Sequence, residues 1–406
     1  MSDFPNRSDK TAVLAMASFF KGNRFLETAK QEGATVYLLT VEKLLGQPWV
    51  RDSIDEVFAL RENFQNREEL LNVVSWLART RKIDRVVPMD DFDVETAALV
   101  REHLRVPGMG ETTARYFRDK LAMREKARDS GITVPPFVHI LNHADIAAFM
   151  RDVPGPWVLK PRSEAGSVGI KKIHSPEELW PLIESLGDKQ SQHLLEQMIP
   201  GDVYHVDSIV SERAIVFAQC HRYRRPILGV VQGGGLFGSR TVAYGSEDER
   251  KLLAFHAETL SALGFVRGVA HTEFIKSQVD GKFYFLETGA RVGGAHIADL
   301  VQHESEVDLW AEWARLEIPH GKWGYTPPKR AQHHAGLIIS LSRDKTPDMS
   351  GYDDDDIVWK LTMDHHAGLV VRCPDEATLD RRMDELERRI SSDFMAVLPA
   401  PNKATH

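Results

Sequence analysis

Short apolar runs alternate with amphipathic stretches over the first hundred residues. Residues 13–19, 36–39, 56–60 and 85–88 are apolar runs of strand length, while 24–32 and 67–80 place apolar side chains at helical spacing. Alternation of this kind predicts β-α units on a parallel sheet. Residues 112–130 predict one amphipathic helix ended by Gly131. Val134-Pro135-Pro136 then forces an extended path, and a domain boundary is expected near there. From Trp157 the pattern changes. Strands are predicted at 157–160, across 203–219, at 268–276 and at 282–287, with helices at 176–186 and 247–263, so this part reads as α+β. Residues 332–390 add strands at 334–341 and 368–373 and a charged helix at 376–390. The chain thus reads as α/β, with a parallel sheet at its N-terminal end, followed by α+β.

Composition narrows the function classes. At 406 residues with 42% hydrophobic content, the chain suits two or three packed subdomains. A net charge of −8 supplies no global positive field, so nucleic acid is not an expected partner and any phosphate site must be local. No run approaches the roughly 20 apolar residues of a membrane span. The apolar run 12–20 follows Asp3 and Asp9 and precedes Lys21-Gly22-Asn23-Arg24, which reads as a first buried strand rather than a signal peptide. Only Cys220 and Cys373 are present, which fits a reducing compartment, with the cytoplasm as the expected address. The Asp353-Asp354-Asp355-Asp356 run reads as a solvated loop.

Four segments carry candidate chemistry. Trp157-Val-Leu-Lys160 runs into Pro-Arg-Ser163-Glu-Ala-Gly166-Ser167-Val-Gly169, a strand that ends in a lysine and opens into a loop of small residues. The glycines let backbone amides approach phosphate oxygens and Lys160 supplies charge, although read alone the segment is equally an ordinary hairpin loop. In Leu195-Glu196-Gln197-Met198-Ile199-Pro200-Gly201, Glu196 and the adjacent backbone are placed to meet an adenine edge and Ile199 its face. The next strand puts Val203, His205 and Asp207 on one side, offering a ribose two polar groups or simply a wet face.

Glu273, in His271-Thr272-Glu273-Phe274, and Glu287 lie on apolar strands joined through Val279-Asp280-Gly281. A connection of three or five residues sets the two carboxylates opposite each other, and a connection of two turns them apart. Facing carboxylates on apolar strands call for a cation between them, such as Mg²⁺ with phosphate oxygens. Arg291 follows at a strand end, before Gly293-Gly294 and a predicted helix, where it would hold a carboxylate or offset transferring charge. The segment from His221 to Gly238, basic at its start and glycine-rich, reads either as a substrate loop or as an exposed hairpin.

Taken in order, Phe117-Arg118-Asp119-Lys120, the Leu-Lys-Pro strand with its glycine loop, the Glu196 linker, Glu273 and Glu287-x-x-x-Arg291 resemble the ATP-grasp superfamily. Lys21-Gly22-Asn23 and Val86-Val-Pro-Met-Asp-Asp91 resemble its pre-ATP domain. The resemblance implies a pre-ATP α/β domain at 1–110, a central helix with a small lid at 111–200, a nucleotide and metal subdomain at 201–330 and a C-terminal subdomain at 331–406. It implies that Lys120 and Lys160, with the loop residues Ser163, Gly166, Ser167 and Gly169, contact ATP phosphates. Glu196, Gln197 and Ile199 would contact adenine and His205 or Asp207 the ribose. Glu273 and Glu287 would ligate Mg²⁺, with Mn²⁺ as an alternative ion. Two positions depart from the pattern: Val203 stands where a ribose-binding glutamate is frequent, and Gly289 where many members carry an asparagine ligand. Dipeptide-forming L-amino-acid ligases are similar in both the missing asparagine and the His-Thr-Glu sequence. On that likeness Arg291 and Lys160 offset charge on the transferring phosphate, and His271 is the candidate acceptor of the amine proton.

The implied activity is formation of an acyl phosphate from a substrate carboxylate, with release of ADP, followed by attack of an amine, with amino acids as the expected small-molecule substrates. The alternatives are a purine-pathway or carboxylase-like ligase of the same fold, or a nucleotide-binding protein without turnover. Ligases of this shape are often homodimers.

Overall fold

The computed structural model describes residues 10–226, 235–318 and 325–396. The N-terminal β-α units form as the apolar runs predict: β1 (Ala12–Met16), α1 (Asn23–Gln31), β2 (Thr35–Val41), β3 (Glu56–Leu60), α2 (Arg67–Ala78), β4 (Arg85–Pro88) and α3 (Val94–Leu104). The four strands are parallel in the order β3-β2-β1-β4. All five residues of β1 are buried, as expected for a central strand covered on both faces.

The single helix predicted at 112–130 is two helices, α4 (Glu111–Arg115) and α5 (Lys120–Asp129). Asp119 breaks the run. Its carboxylate accepts from the amide of Leu121 at 3.0 Å and from Arg162, so it caps α5 and ties that helix to the loop after the lysine-bearing strand. Lys120 becomes the first residue of α5, with its amide donated to the carbonyl of Arg162 at 2.8 Å. Gly131, in the left-handed region at φ 82°, ends the helix as the sequence suggests.

A second sheet follows, built from β5 (Phe137–His139), α6 (His143–Asp152), β6 (Trp157–Pro161), β7 (Lys171–Ile173), α7 (Pro176–Leu186) and β8 (His193–Gln197). Its order is β5-β8-β6-β7, all antiparallel, and Ile146, Trp157, Leu159, Leu179 and Leu195 form its own small core.

The third sheet has eight strands. Its elements are β9 (Gly201–Ser211), β10 (Ala214–Tyr223), β11 (Phe237–Thr241), α8 (Glu247–Leu263), β12 (Gly268–Ser277), β13 (Phe283–Gly289), α9 (Ile297–Ser305), α10 (Leu309–Glu317), β14 (His334–Leu341), β15 (Ile357–Lys360), β16 (His366–Cys373) and α11 (Glu376–Asp393). The order is β13-β12-β9-β10-β11-β14-β16-β15, so the strands after residue 331 extend the same sheet through β11. The edge strand β15 carries no pattern that distinguishes it in the sequence. Helix α10 packs back on α1, with the rings of Phe25 and Trp313 edge to face at 5.7 Å, which joins the N-terminal sheet to the large one. Of the glycine-rich segment between His221 and Gly238, residues 227–234 lie outside the described residues. Among the described residues no helix is long and apolar enough to cross a membrane.

Candidate active site

One face of the large sheet gathers His205, Asp207, His271, Glu273 and Glu287. Register places Asp207 opposite Gln219 and His271, His205 opposite His221 and Glu273, and Glu273 opposite Glu287. Side chains across such pairs share a face. Both glutamates line a cleft of about 410 Å³ between the large sheet and the small one.

The facing of the glutamates has a specific cause. Ser277 donates to Lys282 at 2.9 Å, so the connection has four residues, an even number that alone would turn the carboxylates apart. Glu273 pairs with Glu287 but Phe274 pairs with Phe285, and the unpaired Leu286 between them is a bulge that restores the register.

Val158, Ile170, Met198, Ile199, Val203 and Leu286 give the cleft apolar walls, and its polar end holds Lys120, Lys160, Glu273 and Glu287. Lys120 lies 2.9 Å from Glu287. Burial alone would raise the Glu287 carboxyl, but Lys120, Lys160 and Arg124 hold it down to about 2. Glu273 accepts from the hydroxyl of Tyr223 at 2.7 Å and lies 3.6 Å from Nε2 of His271. Beyond Lys120 and Glu287 a recess is lined by Asp91, Arg118, His271, Gly289 and Arg291. Oδ1 of Asp91 is buried there without a hydrogen-bond partner, and Arg291 Nε stands 3.7 Å from it.

Two opposed carboxylates lining one cleft are a donor set suited to a hard oxygen-seeking cation such as Mg²⁺, which keeps much of its water and needs few protein ligands. The missing asparagine at Gly289 is consistent with such a site. A Cβ at Gly289 would lie 3.1 Å from Asp91 Oδ1, so the aspartate fills the space that a side chain there would take.

Several expected contacts are placed differently. The carboxylate of Glu196 does not face the cleft as an acceptor for adenine. It is 1% exposed and spent on Arg124 Nε at 2.7 Å and on Lys160, while its backbone pairs with both Phe137 and Val158 in the sheet. Lys160 accordingly lines the cleft with its ammonium already held by Glu196.

His205 and Asp207 do not offer a ribose their side chains. Both are fully buried; His205 Nδ1 bonds Asp207 at 2.7 Å, His205 Nε2 bonds Ser239 at 2.7 Å, and Asp207 also accepts from His271 at 2.9 Å. Gly293 packs on Asp207 and on His271: a Cβ there would lie 2.9 Å from the first and 3.1 Å from the second. The predicted helix start also moves, because Ala295 and His296 take positive φ and α9 begins only at Ile297.

In the glycine loop, Ser167 and Val168 line the cleft, while the carbonyl of Ser163 is taken by Arg118. Gly166 and Gly169 take φ of 63° and 72°, and a Cβ on Gly169 would press on Pro161 at 2.9 Å, so the loop needs glycine there. Gln197 lines the cleft and donates to the carbonyl of Pro154 at 2.9 Å. Tyr223, Arg124 and the aspartate pair Asp90 and Asp91 were not marked as site residues by sequence reasoning. The alternation of Gln219, His221 and Tyr223 in an otherwise apolar strand was the available signal for the first.

Residues 117–295 match the ATP-grasp domain family. An L-arginine-specific L-amino acid ligase from Bacillus subtilis is 21% identical over 304 residues, covering 73% of this chain and 72% of that protein. An L-amino acid ligase crystal structure from Bacillus licheniformis superposes with a TM-score of 0.75 at 16% identity, covering 96% of this chain and 99% of that one. An N5-carboxyaminoimidazole synthetase from Staphylococcus aureus complexed with ADP superposes with a TM-score of 0.71 at 14% identity, over 92% and 96% of the two chains. The structural likenesses establish the fold, and residues 117–295 of the chain are an ATP-grasp domain.

Proposed function

We propose that the protein uses ATP to activate the carboxylate of an amino acid as an acyl phosphate and passes the acyl group to the amine of a second amino acid. The observation that carries this reading is the pairing of Glu273 with Glu287 at the cleft end that also holds Lys120 and opens into the Arg291 recess. The apolar walls suit a purine ring, with Ile199 and Leu286 on its faces, and the polar end suits phosphates. Glu273 and Glu287 would hold Mg²⁺, which when bound offsets charge on phosphate oxygens. Tyr223 and His271 fix the Glu273 carboxylate from two sides, so it is presented in one orientation.

Lys120, tethered by Glu287 and by the carbonyl of Glu164 at 2.6 Å, places a cation where the terminal phosphate is transferred. Arg291, steered by Asp91, takes a substrate carboxylate or the oxygens of the acyl phosphate. His271 lines the recess, but although burial disfavours its cation, Asp207 and Glu273 raise its pKa to about 9, so near neutral pH it meets the substrates as a cation and not as a proton acceptor. Closure of the glycine loop over 163–169 would keep water from the intermediate, which water would hydrolyse. The two cysteines, both buried and unpaired, fit a cytoplasmic address.

Hydroxylamine trapping tests the intermediate. With Mg-ATP and the correct amino acid, an amino acid hydroxamate should accumulate with ADP in equal amounts. ADP release that depends on bicarbonate, with no hydroxamate from any amino acid, would instead move the assignment to the carboxylase-like alternative, whose fold the chain shares with the ADP-bound synthetase.

A further inference from the structure

A separate cavity of about 470 Å³ lies where the N-terminal sheet meets the large one, and no residue of the cleft or the recess lines it. Its volume falls in the range of small-molecule sites. Four arginines face it, Arg85, Arg101, Arg213 and Arg267, against two carboxylates, Glu212 and Glu317. Arg267 pairs with Glu212 and Arg85 stands 3.6 Å from Glu317. Among the described residues neither Arg101 nor Arg213 has a carboxylate at ion-pair distance.

Arg101 is the more telling of the two. Its Nε and Nη1 are held by the carbonyls of Val86 and Met109 at 2.8 and 3.1 Å, and among the described residues the other guanidinium nitrogen has no acceptor. Burial lowers its pKa to about 10, with Glu317 opposing only in part. The chain closes over this side chain at Gly108, which takes φ 142° and where a Cβ would lie 2.6 Å from Arg101 Cδ. Arg101 is half-buried, and a guanidinium on the cavity wall with no carboxylate partner is placed to take an anion there.

Arg213, exposed to solvent, stands on the other wall. The turn between β9 and β10 needs two residues of positive φ, a place where Asn-Gly or Gly-Gly is preferred. Glu212 and Arg213 occupy it at 49° and 71°, and the Arg213 amide is pinned to Val266, itself in the cavity wall, at 2.8 Å. A strained pair of charged residues in place of glycine is explained by what their side chains do. The remaining walls include Phe265 and Trp313.

We infer that this cavity is a second ligand site, for a small organic anion that sets a phosphate or carboxylate against Arg101 and Arg213 and a flat apolar part against Phe265 and Trp313. The site is coupled to the chemistry by its walls. Pro88 and Ala290 line it, and the residues just beyond them, Asp91 on one side and Gly289 and Arg291 on the other, line the recess. An occupant would therefore bear on the Asp91–Arg291 pair without touching the cleft.

Titration calorimetry of the full chain with phenyl phosphate tests this, with inorganic phosphate and benzoate as separate arms. One equivalent of phenyl phosphate should bind, Arg213→Ala should weaken it about tenfold, and Lys160→Met should leave it unchanged. Arg213 is exposed, so that variant keeps its fold, and circular dichroism confirms it. Tighter binding of inorganic phosphate than of benzoate would assign a phosphate head, and the reverse a carboxylate. Absence of saturable binding at millimolar probe overturns the inference. So does binding that Lys160→Met removes and Arg213→Ala does not, because it would place the anion in the cleft. Inorganic phosphate binding as tightly as phenyl phosphate would remove the apolar half of the site.

Discussion

Replacing Glu196 by glutamine should cost stability far beyond that of one lost contact. The carboxylate bridges Arg124 at 2.7 Å and Lys160, and both it and Arg124 are 1% exposed. Glutamine keeps the volume and removes the charge, which leaves Arg124 inside the protein with no counter-ion and one of its guanidinium nitrogens already unpartnered. Breaking a buried pair in this way costs roughly 3–5 kcal/mol, because the remaining charge is left unpaired. Burial pushes the Glu196 pKa up, but Arg124 and Lys160 together hold it below the ordinary carboxylate value. Its contribution is thus present above the unfolded carboxyl pKa and disappears only as pH falls through the depressed folded value.

Urea unfolding at neutral pH should show the variant less stable by several kcal/mol with an unchanged slope, and adding Arg124→Met should recover much of the loss. The variant also frees Lys160, so its KM for ATP should change more than kcat. A destabilisation below about 1 kcal/mol would refute the reasoning, since that is the range of a solvated surface pair.

Other outcomes follow from the same geometry. Glu287→Gln should lower ADP release by about 10²-fold or more while shifting unfolding by only about 1 kcal/mol, because the carboxyl is 36% exposed to the cleft and solvent screens its pairing with Lys120. Steady-state rates compared with urea midpoints check this. Tyr223→Phe removes the hydroxyl that holds Glu273 and should raise the half-saturating Mg²⁺ concentration about five- to tenfold, read by metal titration. Gly293→Ala introduces a Cβ within 3.1 Å of Asp207 and His271, and should cost roughly 1–3 kcal/mol in unfolding assays. Burial disfavours the His221 cation, but Glu304 and Asp207 raise its pKa to about 9. Its stabilisation should be complete below about pH 6.5 and disappear as pH rises through about 9, and His221→Gln should flatten that alkaline decline in a pH series of melts.

Much of the fold was legible because burial on both faces writes itself as continuous apolar runs, as in β1 and β2. The break between α4 and α5 was not, because Asp119 finds its partner Arg162 across 43 positions, and a local pattern carries no trace of that. Period two told correctly that Val203, His205 and Asp207 share a face. It carried no information on depth: Val203 lines the cleft, while His205 and Asp207 are fully buried. The facing of Glu273 and Glu287 was left open by loop length and is fixed by the bulge at Leu286, which depends on how Phe274 and Phe285 pack. Glu196 was marked as important from its linker, yet its partners come from α5 and β6, which only the folded chain brings together.

The most direct test of the central claim is ADP release from Mg-ATP across pooled L-amino acids, with mass spectrometry of the same reactions. The account predicts ADP formation that depends on a particular amino acid pair, equimolar with a new amide-linked mass, and absent in Glu287→Gln. Nucleotide binding with no ADP release in any pool, or ADP release with no amide product, would contradict it.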